Sequence, residues 1–249
     1  MIYHFIKRFL DISISLVVLI LSFPLIIFFL ILTYLQDYNS PIFMAKRVGK
    51  NFKIFNMIKI RSMIINADKS GIDSTSSDDM RITNLGKIIR RYKIDELTQL
   101  VNVLIGDMSL VGPRPNVLRD VKLYSKEEEE LLSILPGVTD FSSIIFSDEG
   151  SILENESDPD LAYNQIIRPW KSRLGLSYIR NKSIFLDIKI IFYTVIALIS
   201  KKIAINWIVR KLIHFNDEKR LIEVCKRNNK LTPYPPPGQK NIVESRISE

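Results

Sequence analysis

Residues 12–35 read ISISLVVLILSFPLIIFFLILTYL, a stretch with no charged side chain and with a proline at its centre. A straight helix of this length rises roughly 36 Å, which is enough to cross a hydrocarbon core of ~30 Å. Pro24 removes a backbone donor and clashes with the preceding turn, so the sequence predicts a kink between Ser22 and Pro24. The stretch therefore indicates a membrane anchor that bends at its centre.

Basic residues flank this anchor on both sides. Lys7 and Arg8 precede it, and a second group follows it: Lys46, Arg47, Lys50 and Lys53. Lysine and arginine beside a membrane segment favour the cytoplasmic side, so the sequence predicts a re-entrant helix that bends at Pro24 and returns to the same face. Ser22 or packed protein would then satisfy the backbone groups freed at the bend. A kinked spanning helix and an uncleaved signal sequence are the alternatives, although no small-residue cleavage site follows the apolar run.

Composition limits the chemistry that the chain can perform. Its 249 residues suffice for one sizeable domain and an anchor, and the net charge of +8 suits a cytoplasmic membrane face, phosphorylated substrates or nucleic acid. The single cysteine, Cys225, excludes an intrachain disulfide and a cysteine-rich zinc site. His4 and His214 lie near opposite ends, which leaves little for a histidine metal cluster or a Ser-His-Asp triad. Catalysis would have to come mainly from carboxylates, arginine and lysine.

The remaining patterns predict an α+β fold that is mainly helical and has short strands. Residues 42–63 alternate enough to indicate a hairpin around Gly49, and residues 64–80 are typical of a flexible loop. Residues 83–104 have a helical pattern, either as one helix or with a break near Lys93 that starts a new helix. Residues 184–213 are apolar but interrupted by charges, which favours an amphipathic helix in the membrane interface.

These patterns divide the chain into three parts. Residues 1–36 form the re-entrant anchor, residues 37–214 a small domain at the cytoplasmic face, and residues 215–249 a polar tail that contains PYPPPG. The tail is expected to lack core-forming content.

Asp95 and Glu96 are the best candidates for chemistry. They follow a basic block between Arg81 and Lys93 and precede Arg114, whose two flanking prolines restrict its backbone. A carboxylate beside such cations can attack phosphorus to form an acyl phosphate, while the cations neutralise the transferring oxygens. Asp95, Glu96 or a substrate phosphate could also supply the hard oxygen ligands that Mg²⁺ requires. The alternative without a catalytic role is a solvated acidic pair on a helix surface.

The segment DMRITNLGKIIRRYKIDELTQLVNVLIGDMSLVGPRP, residues 79–115, resembles the signature of the bacterial sugar transferases known as monotopic phosphoglycosyl transferases. The resemblance covers about residues 5–200. It extends to FIKRFLD at 5–11, the proline-centred anchor, FKIFNMIKIRSM at 52–63, PGVTD at 136–140 and LDIKIIFYT at 186–194.

The resemblance implies an enzyme that moves a sugar phosphate from a UDP-sugar to a polyprenyl (undecaprenyl) phosphate and releases UMP. It implies a catalytic domain at the cytoplasmic face of the bacterial inner membrane, among membrane lipids, with Mg²⁺ as cofactor and downstream glycosyltransferases as candidate partners. Asp95 would be the nucleophile and Glu96 its partner. The phosphate contacts would come from the basic positions of the motif: Arg114, Lys59, Arg61, Arg81 and Arg90.

Four departures from the family pattern stand out. Phe23 separates Ser22 from Pro24, Thr98 stands where the family has proline, and Lys93 stands where a helix-capping serine is common. DFSS at 140–143 stands where the family often has other residues, so the sugar-pocket residues stay unassigned. An alternative function is a non-catalytic basic protein that binds the membrane surface or acts as a scaffold. Nucleic acid is not expected as a partner, because the sequence shows no base-reading or stacking module.

Overall fold

The computed structural model describes residues 2–246. Its first element is α1 (Ile2–Asp37), which is long and apolar enough, by length and composition, to cross a membrane. The helical backbone of α1 continues through Pro24, so any bend at Pro24 does not divide α1 into two helices. The Ser22 hydroxyl donates to the carbonyl of Val18 at 2.7 Å, whereas the carbonyl that loses its helical partner to Pro24 is that of Ile20. The Ser22 hydroxyl therefore does not pair with the carbonyl of Ile20, and a bond such as the one it makes to Val18 commonly bends a helix.

Both ends of α1 contact the rest of the protein. Near the N-terminus, the Arg8 guanidinium donates to the carbonyls of Val103 and Leu104 at 2.6 and 2.8 Å. Near the C-terminus, Asp37 forms two 2.6 Å hydrogen bonds with the Arg61 guanidinium. Between these ends one face of α1 packs on the domain, and the opposite face exposes apolar side chains.

The predicted hairpin is confirmed. Strands β1 (Ile42–Val48) and β2 (Ile54–Ile60) pair antiparallel, and a turn over Lys50–Phe52 joins them. At the other edge of β2, the Asn102 amide accepts from the Ile58 N–H at 2.9 Å and donates to the Asn56 carbonyl at 2.8 Å. Because these backbone groups would otherwise be unpaired, the buried Asn102 fixes the following helices against the hairpin.

The break near Lys93, one of the two alternatives for residues 83–104, is present. Helix α2 (Asn84–Arg91) ends before it, and α3 (Ile94–Leu97) and α4 (Gln99–Ile105) follow. Lys93 adopts a left-handed conformation with φ 54° and ψ 29°, which turns the chain between α2 and α3. Gly106, with φ 94°, ends α4.

A second, two-stranded sheet forms the support for the Pro-Arg-Pro loop. Strands β3 (Ser109–Val111) and β4 (Gly137–Thr139) run parallel. Gly112 and Gly137 lie so close that a Cβ on Gly137 would be 2.1 Å from the Gly112 nitrogen. Only glycine allows this approach, so the loop that starts at Gly112 is held tightly against β4.

The other helices complete the domain and enclose a core that includes Trp170 and Phe141. Two further 3₁₀ turns occur at Ala67–Ser70 and Glu128–Ser133, and a π-helical turn, Tyr163–Ile167, precedes the long helix α9. The remaining helices are α5 (Leu118–Val121), α6 (Phe141–Ile145), α7 (Glu149–Ile152), α8 (Pro159–Ala162), α9 (Arg168–Asn181), α10 (Ile184–Ile199), α11 (Lys201–His214) and α12 (Lys219–Cys225).

The apolar stretch predicted as an interfacial helix is two helices with different surroundings. Helix α10 exposes a row of apolar side chains that includes Phe185, Phe192 and Leu198. Helix α11 instead buries Ile208 and Leu212 completely in the core. The prediction is therefore wrong for α11, because its apolar face is covered by protein.

The prediction for the C-terminal tail is also wrong. Leu221 and Cys225 of α12 are 1% and 0% exposed and belong to the main core. Further along, the Tyr234 ring stacks on Trp170 with centroids 4.3 Å apart. The tail therefore has core-forming content, contributed by a few apolar side chains in an otherwise polar segment.

Candidate active site

A cavity of about 530 Å³ lies between the hairpin, α3, the Pro-Arg-Pro loop and the segment 73–77. Of the seven residues predicted for the chemistry, five line this cavity: Lys59, Arg90, Asp95, Glu96 and Arg114. The structure thus brings together residues from β2, α2, α3 and the loop after β3.

Asp95 lies in the first turn of α3, directly after the Lys93 turn. It is 7% exposed, and its Oδ2 lies 3.8 Å from the Nζ of Lys59 on β2. Burial raises the pKa of the Asp95 carboxyl, and the Lys59 ammonium opposes that rise. Burial likewise lowers the pKa of Lys59, and the two carboxylates oppose that change. Each group therefore favours the charged form of the other.

Glu96 forms a nearly bidentate pair with Arg114. The two nitrogens of the guanidinium lie 2.9 and 3.5 Å from the two carboxylate oxygens. Burial acts to raise the pKa of Glu96, but Arg114, Lys93 and Lys59 outweigh it and hold the pKa at about 2. Glu96 is therefore ionised throughout the physiological pH range.

The β3–β4 pairing fixes the position of Arg114. The Gly137 N–H donates to the Pro113 carbonyl at 3.0 Å, and the Arg114 guanidinium donates to the carbonyl of Val138. With backbone and side chain both held, Arg114 loses little conformational entropy when it binds an anion.

Arg90 extends the basic wall from α2. Its Nε donates to the Ser62 hydroxyl at 3.0 Å, and burial lowers the pKa of its guanidinium. Further basic side chains line the same cavity: Arg47, Lys87, Arg91, Lys93 and Lys171. This concentration of cations suits a ligand with several phosphate charges.

Arg61 and Arg81 do not line the cavity. Arg61 is bound to Asp37 at the end of α1, so it joins the anchor to the hairpin. Arg81 pairs with Asp79 at 2.7 Å and also donates to the carbonyls of Ala67 and Ile72, so it organises the loop after the hairpin. Both arginines are engaged in protein contacts, whereas Arg90 and Arg114 reach the cavity.

The profile of the bacterial sugar transferase family matches residues 2–201. The chain is a member of this family. The family membership expected from the motifs at 79–115 is thereby confirmed.

Two curated relatives of this sugar transferase are named as undecaprenyl-phosphate sugar phosphotransferases. The UDP-N-acetylgalactosamine-undecaprenyl-phosphate N-acetylgalactosaminephosphotransferase of Aeromonas hydrophila is 34% identical over 197 residues, which cover 78% of this chain and 44% of that protein. The undecaprenyl-phosphate glucose phosphotransferase of Komagataeibacter xylinus is 38% identical over 198 residues, 76% of this chain and 35% of that protein.

A shorter relative aligns over most of its own length. The exopolysaccharide production protein PSS of Rhizobium leguminosarum bv. phaseoli is 35% identical over 202 residues, 77% of this chain and 94% of that protein. This sugar transferase therefore spans less than half of the Aeromonas and Komagataeibacter proteins but nearly all of the Rhizobium protein.

The carboxylates of the sugar transferase fit a magnesium ion that takes most of its ligands from elsewhere. No cluster of three or more Asp, Glu, His or Cys side chains with metal-binding geometry occurs within residues 2–246. Mg²⁺ is commonly held by one or two carboxylates, with substrate phosphates and water completing its octahedron. Asp95 and ionised Glu96 at the cavity wall provide that minimum set.

Several cavity residues of the sugar transferase escaped prediction from sequence. The Ser- and Thr-containing segment 73–77 was expected to be a flexible loop but forms a cavity wall, together with Asn116 and Tyr163. Ser143 of the unassigned DFSS segment also lines the cavity, whereas Phe141 is completely buried and Asp140 caps α6. The sequence offered one indication that segment 73–77 could line the site, namely its position between the basic residues at 46–61 and those at 81–93.

Proposed function

We propose that this protein transfers a sugar 1-phosphate from a UDP-sugar to undecaprenyl phosphate, or a similar polyprenyl phosphate, and releases UMP. The reaction would take place at the cytoplasmic face of the bacterial inner membrane and start the synthesis of a glycoconjugate such as a capsule, O-antigen, exopolysaccharide or glycoprotein glycan. Downstream glycosyltransferases would then extend the lipid-linked product. The names of the Aeromonas and Komagataeibacter relatives support the acceptor and the reaction class.

One observation carries the proposal: Asp95, the carboxylate in the basic cavity, directly follows Ile94, which packs on α1. Ile94 is buried against Ile26 and Phe29 of α1, and Asp95 follows it in the chain. A soluble nucleotide sugar can enter the cavity, and a lipid phosphate can approach from the surface of α1. The arrangement therefore suits transfer between a water-soluble donor and a membrane-bound acceptor.

In the first step the Asp95 carboxylate would attack the phosphorus that carries the sugar. A bond forms between Asp95 Oδ and phosphorus, the bond from phosphorus to the bridging oxygen breaks, and UMP leaves with the bonding electrons. Arg114, held by Glu96 and Val138, would stabilise the charge on the phosphate oxygens, and Lys59 would keep Asp95 ionised. Mg²⁺ bound beside Asp95 and Glu96 would supply further neutralisation of phosphate charge.

In the second step an oxygen of the polyprenyl phosphate would attack the same phosphorus. The new diphosphate bond forms as the acyl phosphate bond breaks, and the Asp95 carboxylate is regenerated. Because both steps use the same cations, the cavity needs no rearrangement between them.

The Asp95→Asn variant tests the nucleophile. We expect it to release no UMP from any member of a panel of UDP-sugars, with and without polyprenyl phosphate, because an amide cannot form the acyl phosphate. Asp78→Asn, a change at an exposed acid in the loop before α2, is the matched control and should keep full activity. Wild-type protein that releases no UMP from the panel would refute the function, and UMP release by Asp95→Asn at the wild-type rate would refute the nucleophile.

We also infer that α1 enters the bilayer and leaves it on the same face. Residues on one side of α1 contact the domain from Tyr3 to Leu19 and again from Ile26 to Asp37. The six residues between these contacts rise only about 9 Å, far less than the ~30 Å of a hydrocarbon core. A crossing helix would have to pull part of the polar domain into lipid.

Tags at residues 1 and 249 test this topology in sealed vesicles. Both tags should be digested by protease from the same side, and both should be protected in vesicles of opposite orientation. A tag at residue 1 that is accessible only from the side opposite to residue 249 would refute the re-entrant arrangement.

A further inference from the structure

The C-terminal segment beyond α12 crosses the surface of the domain towards the cavity. We define residues 226–246 as the C-terminal strap. The Tyr234 N–H donates to the Gln165 carbonyl at 2.9 Å, and the Gln165 side chain donates back to the Val243 carbonyl at 2.6 Å. The strap lies outside residues 2–201, the part that matches the family profile.

The strap ends on a cluster of three carboxylates. The Arg246 guanidinium lies 2.6 Å from Asp73 and 3.2 Å from Asp120, and it also contacts Asp160. These acids belong to three different parts of the chain: the 73–77 wall, α5 and α8. Arg246 is 12% exposed, so its charge is largely removed from water and compensated by the acids.

The cluster controls the position of the cavity wall. The Asp160 carboxylate accepts from the backbone N–H groups of Asp73 and Ser74 at 3.3 and 2.7 Å. Asp73, Ser74 and Asp120 all line the cavity. A displacement of Arg246 would leave three carboxylates close together, and their mutual repulsion would push the wall apart.

The chemistry of this wall differs from that of the Asp95 region. Carboxylates repel phosphate oxygens but accept hydrogen bonds from hydroxyl and amide groups. The wall at Asp73 and Asp120 therefore suits the part of the donor that carries no phosphate, whereas Lys59, Arg90 and Arg114 suit the diphosphate. Arg47, whose guanidinium interacts electrostatically with Asp73 and Asp120, lines the same cavity, so the acidic wall adjoins the cationic one.

We propose that Arg246 is a positioning residue that holds Asp73 and Asp120 as the wall for the uncharged, hydroxyl-bearing part of the donor. This proposal rests on the proposed function, since it assigns a region of the same cavity. It makes the C-terminal strap a determinant of donor binding that acts without touching the reacting phosphorus.

The Arg246→Ala variant tests the proposal in full-length, membrane-embedded protein. We expect the donor KM to rise roughly ten-fold, as the loss of hydrogen bonds to charged groups would produce. The kcat and the KM for polyprenyl phosphate should stay within about two-fold of wild type, because Asp95 and the cations around it are unchanged. Arg246→Lys keeps the charge but loses the fork, so it should restore part of the donor affinity.

Hydrogen exchange gives a readout that does not depend on activity. In Arg246→Ala the amides of residues 73–77 should exchange faster, while those of α9 keep their protection. Lys240→Ala, a change at an exposed residue of the same strap, is the control and should alter neither exchange nor KM. An unchanged donor KM, or faster exchange throughout the domain, would overturn the positioning role. A wild-type protein without UMP release would instead overturn the proposed function, while the exchange result still reports on the strap.

Discussion

Replacing Lys59 with methionine removes the cation that stands 3.8 Å from the Asp95 carboxylate. Methionine keeps most of the length of the side chain but has no charge. Burial already raises the pKa of Asp95, and Lys59 is the largest influence that opposes this rise. In Lys59→Met the carboxyl should therefore hold its proton to a higher pH, and the acid limb of the reaction should move to higher pH.

The structure sets the size of the effect. Two unit charges 3.8 Å apart attract by about 1 kcal/mol in bulk water and by about 4 kcal/mol at an effective dielectric constant of about 20. The side chains of Lys59 and Asp95 are 23% and 10% exposed, so the pair lies between these limits. Each ~1.4 kcal/mol of lost attraction corresponds to about one pH unit in the position of the acid limb.

A single-turnover assay isolates this titration. The rate of UMP release is measured at saturating UDP-sugar without polyprenyl phosphate, so that the acceptor phosphate does not contribute to the pH profile. Lys53→Met is the matched control, because Lys53 lies 3.8 Å from Asp107 but is 77% exposed. Solvent and salt screen that pair, so its removal should leave the profile unchanged.

An acid limb of Lys59→Met that stays where it is in wild type, or moves to lower pH, would refute a role of Lys59 in the ionisation of Asp95. An equal shift in Lys53→Met would also refute it, since the effect would then reflect net charge. A lower maximal rate alone is compatible with the loss of a phosphate contact and does not bear on the pKa of Asp95.

Two further predictions concern the framework of the site. Asn102→Leu should lower the free energy of unfolding by about 2 kcal/mol or more, because it leaves the Ile58 N–H and the Asn56 carbonyl without partners. Thermal denaturation measures this loss, with Val101→Ala on the exposed side of α4 as the control. An equal loss of stability in both variants would contradict the prediction. Glu128→Gln should cost about 3–5 kcal/mol, because the Arg168–Glu128 pair is 0% exposed on both sides and the arginine would remain buried without its counter-charge. The same denaturation assay tests it, and a change below about 1 kcal/mol would be inconsistent with a buried ion pair.

The local features were predictable because they follow from short-range rules. The hairpin follows from alternation over residues 42–63, and the Arg114 loop from two prolines that fix the backbone. The break at Lys93 could only be left open, since a left-handed conformation is uncommon for a residue other than glycine and has no sequence mark here.

The contacts between distant segments were not predictable. In the sequence, Arg61, Arg81 and Arg90 all lie in basic stretches, so their roles cannot be told apart. Only the fold shows that Asp37 binds Arg61 and that Asp79 binds Arg81. The prediction that the tail lacks core-forming content was wrong for a related reason. A strap that buries few side chains has the average composition of a disordered segment. Its order depends on partners elsewhere in the chain, such as Trp170 for Tyr234.

The contacts of α1 with later parts of the chain also determine when this helix can reach its final position during synthesis. The Asp11 carboxylate accepts from Ser109 and Leu110, 98 and 99 residues later in the chain, and Lys7 pairs with Asp187 a further stretch away. A ribosome that adds ~5–20 residues per second needs roughly 5–20 seconds to make the first of these partners. Throughout that interval Asp11 and Lys7 lack these partners, so α1 makes its final contacts only after most of the protein has been translated.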